Sequence, residues 1–255
     1  MRDVPPVVLT IAGSDPSGGA GLQADLRAIA AHAMYGAAVP TALTVQNTRG
    51  VSRVVVLDAD LVRDQIDAVL EDLPVAAVKV GMLGSAAVAA AVLDAVGAVG
   101  APVVLDPVIR SSSGAALLDA AGVAVLRERA AGLALITPNR AEAAALLGRG
   151  GAPDVLAREL AIELGCRVLV TGGDADGACV DWLASDGLRS WSAARIDTPH
   201  DHGTGCLLST SIACALAGGM ALVPAVEHGR ACVRKGLEDS LAMGAGTGPV
   251  YFRAR

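Results

Sequence analysis

The sequence predicts an α/β fold, a three-layer α/β/α sandwich on a mainly parallel central sheet, and three observations carry that expectation. Short apolar runs rich in β-formers, such as Val7-Val8-Leu9-Thr10-Ile11, recur without the alternation of a half-exposed strand, as expected of strands covered on both faces. Segments of helical spacing lie between those runs. Most runs end in a glycine-rich or polar loop, so the loops of a parallel sheet would gather along one edge. No linker, composition shift or repeat marks a second unit, and residues 1–255 are expected to form a single domain.

The elements follow in order. A strand over 7–11 leads through Gly13-Ser14-Asp15-Pro16-Ser17-Gly18-Gly19-Ala20-Gly21 into a helix over 22–34, where Leu22, Leu26, Ile29 and Ala30 share a face. Strands over 37–45 and 51–57 precede a helix over 60–70. A strand over 76–80 stops at Gly81-Met82-Leu83-Gly84 before an alanine-rich helix over 85–96. The strand 103–105 ends at Asp106-Pro107-Val108, and the strand 133–136 ends at Thr137-Pro138-Asn139 before a helix over 140–147. A strand over 167–170 ends at Thr171-Gly172-Gly173. Runs 177–184 and 188–196 form an antiparallel hairpin about Asp186-Gly187, and helices over 206–216 and 224–243 close the chain.

Composition narrows the function. With one Phe, two Tyr and two Trp, the core must be built from Ala, Val and Leu, which bring helices close to the sheet. A formal net charge of −6 and no Lys/Arg cluster argue against nucleic acid, leaving a metabolite as the expected partner. Cysteines at 166, 179, 206, 214 and 232 give an odd count with no Cys-x-x-Cys pair and no close Cys/His grouping of zinc type. Free thiols and a cytoplasmic location are expected. The amino-terminal residues lack the pattern of a secretory signal. The apolar stretch 86–105 is broken by Asp94, Gly97, Gly100 and Pro102, so no membrane span is expected. His32, His200 and His228 have no evident companions and read as structural, and His202 reads as a turn residue.

The chemistry gathers at the predicted strand ends. His202-Gly203-Thr204-Gly205-Cys206 opens a helix apolar on nearly every face, and its first-turn N–H groups offer an anion site. A cysteine there is expected to have a lowered pKa. The Gly13 loop, Gln46, Met82, Asp106, Asn139, Glu142 and Thr171 fall at other strand ends and should converge on it. Two carboxylates, polar phosphate contacts, a helix terminus and a candidate base suit phosphoryl transfer from a nucleotide. Taken singly, each residue has a plainer reading. Asp106 serves equally as a turn residue, Glu142 with Asn139 as a capping box, and Gln46 as a loop hydrogen-bonder.

Thr10 to Asp25, Thr41 to Gly50, Lys79 to Leu83, Leu105 to Val108, Ile136 to Asn139 with Glu142-Ala143, and His202 to Cys206 together resemble hydroxymethylpyrimidine/phosphomethylpyrimidine kinase of the ribokinase-like superfamily. The resemblance runs in order from about residue 7 to Phe252. It implies transfer of the ATP γ-phosphate to 4-amino-5-hydroxymethyl-2-methylpyrimidine and then to its monophosphate, feeding thiamine synthesis. It further implies that Gln46 bonds the aminopyrimidine, with Gly13, Ala20, Asp25, Met82 and Val108 around the ring. Asp106 and Glu142 would serve Mg2+ and its waters. Asn139, Thr171 and Gly173 would lie along the nucleotide, and Gly203, Thr204 and Gly205 would form the anion hole beside Cys206. A homodimer is expected, and a monovalent cation is compatible with the pattern.

Two departures stand out. The family commonly has Lys-Gly-Gly where this chain has Thr171-Gly172-Gly173, and Asp201 puts a negative charge near the glycine motif. The nearest competing function is a pyridoxal kinase of the same subgroup. A pyrimidine-binding regulator that has lost transfer is the competitor from another class.

Overall fold

The computed structural model describes residues 4–111, 114–173 and 178–253. Its strands are β1 (Val7–Ser14), β2 (Tyr35–Asn47), β3 (Gly50–Val56), β4 (Val75–Val80), β5 (Val103–Leu105), β6 (Leu135–Ile136), β7 (Val168–Val170), β8 (Cys179–Ala184) and β9 (Leu188–Ala193). The helices are α1 (Gly21–Ala31), α2 (Ala59–Asp72), α3 (Ala86–Val96), α4 (Ala120–Arg129), α5 (Arg140–Leu147), α6 (Pro153–Leu164), α7 (Thr204–Ala217) and α8 (Leu222–Glu238). The strands form one sheet in the order β3-β2-β1-β4-β5-β6-β7-β8-β9. From β2 to β7 neighbours pair in parallel, and β3, β8 and β9 extend the two edges antiparallel.

Strand side chains divide strictly between two cores, because successive residues point to opposite faces. Leu9, Ile11, Val78, Val80, Val103, Leu105, Ile136, Val168 and Val170 meet α2 to α6, through residues such as Ile66, Val92, Leu126, Leu146 and Leu160. Val8, Ala77, Val104, Leu135 and Leu169 meet α1, α7 and α8 through Ile29, Ile212 and Val226. This is the expected three-layer sandwich. Fully covered strands explain why the sequence shows apolar runs and not alternation.

The chain leaves β1 toward β2 on one side and returns to β4 on the other, so the sheet order reverses between β1 and β4. A crevice opens at such a reversal, outside the carboxyl ends of the strands. Several boundaries match the sequence reading, including β5 and α5, whose ends are fixed by the Asn139 cap and by left-handed Gly148. Helices α4 and α6 are additional to that reading. The last helix stops at Glu238 and not at 243. The hairpin about Asp186-Gly187 is present, although Gly177, where its first run was expected to begin, lies outside the described residues.

Candidate active site

A cleft of about 790 Å³ opens along the carboxyl edge of the sheet, within the usual range for a small-molecule site. The loop after β1 supplies one end and is organised by Asp15. One carboxylate oxygen accepts from the Ser17 N–H at 2.9 Å and the Ser17 hydroxyl at 2.7 Å. The other accepts from the Ala20 N–H at 2.9 Å and lies 3.0 Å from His202 Nε2. Burial pushes the Asp15 pKa up, but these hydrogen bonds, with His202 foremost, outweigh it and hold the carboxyl below its ordinary value.

His202 Nε2 also lies 3.3 Å from the Gln46 amide nitrogen. A ring N–H donating to Asp15 has no lone pair left for that amide, so the shorter, charge-assisted contact takes the proton. The Gln46 carbonyl oxygen meanwhile lies 3.1 Å from Thr44 Oγ1, whose hydroxyl also reaches the Ser14 carbonyl at 2.9 Å. Gln46 thus presents its amide hydrogens to the cleft. Ala42, Met82 and Leu117, joined by Val54 and Val108, form a small apolar cluster beneath, suited to the face of a ring.

Beneath this end lies a buried ion pair. Thr10 and Lys79 are register partners on β1 and β4, and both point toward α1 and α7. The Asp25 carboxylate accepts from Lys79 Nζ at 2.8 Å, Thr10 Oγ1 at 2.6 Å and Thr210 Oγ1 at 2.8 Å. Burial works against the Lys79 charge. The Asp25 carboxylate, helped by that of Asp106, overrides it and raises the Lys79 pKa. Asp25, expected beside the substrate ring, is fully buried and lies off the cleft wall; it is instead the counter-ion of Lys79.

Helix α7 aims its N-terminus at the middle of the cleft. Gly203 adopts φ 89°, and a Cβ there would lie 2.1 Å from the Gly19 carbonyl oxygen, so the turn requires glycine. No side chain caps α7, and helix geometry leaves the first-turn N–H groups of Gly205 and Cys206 as donors. The Asp106 carboxylate lies close by, 3.4 Å from where a Gly205 Cβ would stand. Burial and the Asp25 charge raise the Asp106 pKa to about 6, against the pull of Lys79.

The expectation of a lowered Cys206 pKa fails. Burial, with the Asp25 and Asp106 charges, pushes the thiol up to about 12, and Lys79 recovers only part of the shift. The local helix rule is overridden by tertiary surroundings, and Cys206 is a neutral thiol at physiological pH.

At the other end, Asn139 caps α5 and accepts from the Glu142 N–H at 2.9 Å, while a Glu142 oxygen accepts from the Asn139 N–H at 3.0 Å. The second Glu142 oxygen accepts from the Ile109 N–H at 3.3 Å. The capping-box reading of Glu142 is therefore realised, on a side chain that also reaches the cleft. The donor set suits Mg2+, a hard ion that takes oxygen ligands and keeps several waters. Asp106 is buried with one long contact, 3.4 Å to Ser209 Oγ, and a carboxylate has lone pairs beyond those that the α5 backbone engages on Glu142. Thr171, Gly173, Arg195 and Arg230 also line the cleft, and Asp201 lines it before the α7 N-terminus.

Every residue expected from the sequence lies on the cleft wall except Asp25: Gly13, Ala20, Gln46, Met82, Asp106, Val108, Asn139, Glu142, Thr171, Gly173, Gly203, Thr204, Gly205 and Cys206. The sequence reading missed His202 as a cleft residue. The signal available was its place one residue before the glycine motif, together with Gly19, where any Cβ would lie 2.2 Å from the His202 ring.

Fold and cleft together define a phosphotransferase of the ribokinase-like class. The structure superposes on a Bacillus subtilis pyridoxal kinase in complex with ADP with a TM-score of 0.88 at 29% identity, covering 98% of each chain. Within that class the family model for phosphomethylpyrimidine kinase matches residues 15–251, and the chain belongs to that family. It is 46% identical to a hydroxymethylpyrimidine/phosphomethylpyrimidine kinase of Rhizobium meliloti, over 96% of both chains. It is 40% identical to the corresponding Escherichia coli protein, over 95% of this chain and 96% of the other. A phosphomethylpyrimidine kinase structure from Clostridium difficile matches with a TM-score of 0.78 at 34% identity, covering 90% of this chain and 98% of that one.

Proposed function

We propose that this chain, working as one catalytic unit, transfers the γ-phosphate of ATP first to the hydroxymethyl group of 4-amino-5-hydroxymethyl-2-methylpyrimidine and then to the resulting monophosphate. The product diphosphate feeds thiamine synthesis. The observation that carries this reading is the meeting, in one cleft, of an amide-and-apolar ring site at Gln46 and Met82 with the uncapped α7 N-terminus and the Asp106 carboxylate.

The residues divide the work. Gln46 orients the aminopyrimidine edge, and the Ala42–Met82–Leu117 cluster takes its face. As the hydroxymethyl oxygen bonds to the γ-phosphorus and the bond to the β-phosphate oxygen breaks, charge is spread over the equatorial oxygens and builds on the departing β-phosphate oxygen. The N–H groups of Gly205 and Cys206, with the Lys79 charge behind them, stabilise that charge. Bound Mg2+ would neutralise phosphate charge from Asp106 and, through water, from Glu142. A loose transition state does not require early deprotonation of the alcohol, so a neutral Cys206 serves by position, and the hydroxyl proton leaves late, to an oxygen of the transferred phosphate and from there to water.

A second reading, pyridoxal phosphorylation, is favoured by the TM-score of 0.88 to the B. subtilis pyridoxal kinase against 0.78 to the C. difficile phosphomethylpyrimidine kinase. Identity decides against it, since 46% to a pyrimidine kinase exceeds 29% to the pyridoxal enzyme.

We infer a homodimer, supported by Leu43, Val45 and Val55, about half exposed on one face of the β2–β3 hairpin. A cytoplasmic location is supported by five free cysteines. Among the described residues no helix is long and apolar enough to cross a membrane.

The test is incubation with Mg-ATP and either the hydroxymethylpyrimidine or its monophosphate, with products followed by mass spectrometry. Conversion of both, ending in the diphosphate, is expected. Binding without conversion of either contradicts the proposal and identifies a regulator.

A further inference from the structure

Away from the cleft, the structure brings together three side chains that the sequence reading left as unconnected. Helix α1 starts at the carboxyl edge and runs back across the sheet, so His32, its C-cap, lies about 16 Å along the helix from Gly21. His228 and Cys232, four residues apart on α8, meet it there, while Arg230 and Arg234 of the same helix face the cleft. His32 Nε2 is 2.9 Å from His228 Nε2, and the Cys232 sulfur is 3.7 Å and 3.5 Å from those two nitrogens. The expected absence of a Cys/His grouping therefore holds in sequence but not in space.

Tautomer chemistry makes this more than crowding. His32 Nδ1 lies 2.7 Å from the Ala28 carbonyl oxygen, which can only accept, so Nδ1 carries the proton and Nε2 presents a lone pair to the other two groups. An imidazole held by its far N–H to a carbonyl is the usual posture of a metal-ligating histidine. Burial lowers the His32 pKa. Phe252 lies against the His32 ring at 5.3 Å and shields one side. Ser211, fully buried on α7, turns its hydroxyl toward the Cys232 sulfur.

We propose that His32, His228 and Cys232 form a transition-metal site that takes a Zn2+-class divalent ion, linking α1 to α8. Two imidazoles and a thiolate, with water in the fourth position, are a borderline-soft set suited to Zn2+ over Mg2+ or Ca2+. A tetrahedral zinc requires about 3.6 Å between sulfur and nitrogen and about 3.3 Å between the nitrogens. The sulfur distances already meet this, and the two rings need to part by about 0.4 Å. Burial raises the Cys232 pKa, so the ion must displace the thiol proton. One proton is released per ion, and the His228 proton moves to Nδ1.

Titration of the full chain with Co2+, in the presence of Mg2+, tests the site. A thiolate-to-cobalt charge-transfer band and tetrahedral ligand-field bands should saturate at one ion per chain, and Zn2+ should abolish them. Cys232→Ser should remove the charge-transfer band. If serine at 232 prevents folding, His228→Gln should lower Co2+ affinity by at least tenfold. Zn2+ at a hundredfold excess over its Kd should raise the thermal midpoint of the wild type by about 5–10 °C. No charge-transfer band at one equivalent, or a band unchanged by both substitutions, overturns the proposal.

Discussion

A Cβ added at Gly13 would lie 2.8 Å from the Met82 sulfur and one at Gly19 2.2 Å from the His202 ring, whereas one at Gly173, at the β7 end of the cleft, would meet nothing within 4 Å. The β1–β4 end is closely fitted. Its polar groups are mutually satisfied, from Asp15 with Ser17, Ala20 and His202 to Asp25 with Thr10, Lys79 and Thr210. The β7–β9 end is open, with exposed Gly173 and Arg195 and with Thr171 at the strand end. Recognition of a small rigid ring needs fixed geometry. A nucleotide must enter and leave, and its charge can be met by longer side chains.

If the closely fitted end is also what holds this part of the fold, substitutions there should cost the most. Lys79→Met, which strands the Asp25 carboxylate among apolar neighbours, should destabilise the protein by about 3–5 kcal/mol in urea unfolding. A loss below about 1 kcal/mol would mean that water reaches Asp25.

Asp15→Asn comes next, at about 2 kcal/mol near pH 7 from lost charge-assisted hydrogen bonds. Because the folded pKa of Asp15 lies below its unfolded value of 3.8, its contribution is fully present above that value and is lost as pH falls through the lower, folded one. The gap between wild type and variant should therefore close in acid. A gap constant from pH 7 to pH 3 would mean that the charge plays no part.

Cys206 sits where the two ends join. With its thiol at about 12, Cys206→Ala should lower kcat about tenfold with little change in KM and leave the pH–rate profile between 6 and 9 unchanged. Loss of a limb of that profile would show a working thiolate. The smallest effect belongs to the open end. Thr171→Lys should raise kcat by a few-fold, on the order of 1 kcal/mol, if phosphate charge there is under-neutralised. A fall or no change would mean that an arginine already fills the role.

The same contrast explains what could be read from the chain. Elements with local punctuation were legible, such as α5 between Asn139 and Gly148. Helix α6 carried comparable marks, Pro153 at its start and left-handed Gly165 at its end, and was nevertheless missed. Helix α4 lacks a clean apolar face: Gly122 and Leu126 are its fully buried positions. Strand-end residues were legible because a parallel sheet brings them together whatever their separation. Asp25 was not, since Thr10, Lys79 and Thr210, which bury and satisfy it, lie 15, 54 and 185 residues away. The Cys206 pKa was misread for the same reason. Its helix N-terminus is visible locally, whereas the burial and the Asp25 and Asp106 charges arrive from other strands and helices. The His32–His228 contact spans 196 residues, and the four-residue spacing of His228 and Cys232 does not read as a grouping in the sequence.

The central claim is that the fitted end selects the pyrimidine. The most direct measurement is kcat/KM for 4-amino-5-hydroxymethyl-2-methylpyrimidine and for pyridoxal on the same preparation with saturating Mg-ATP. A ratio of at least about tenfold favouring the pyrimidine is expected, the worth of one well-placed hydrogen bond from Gln46. An equal or reversed ratio would contradict the account.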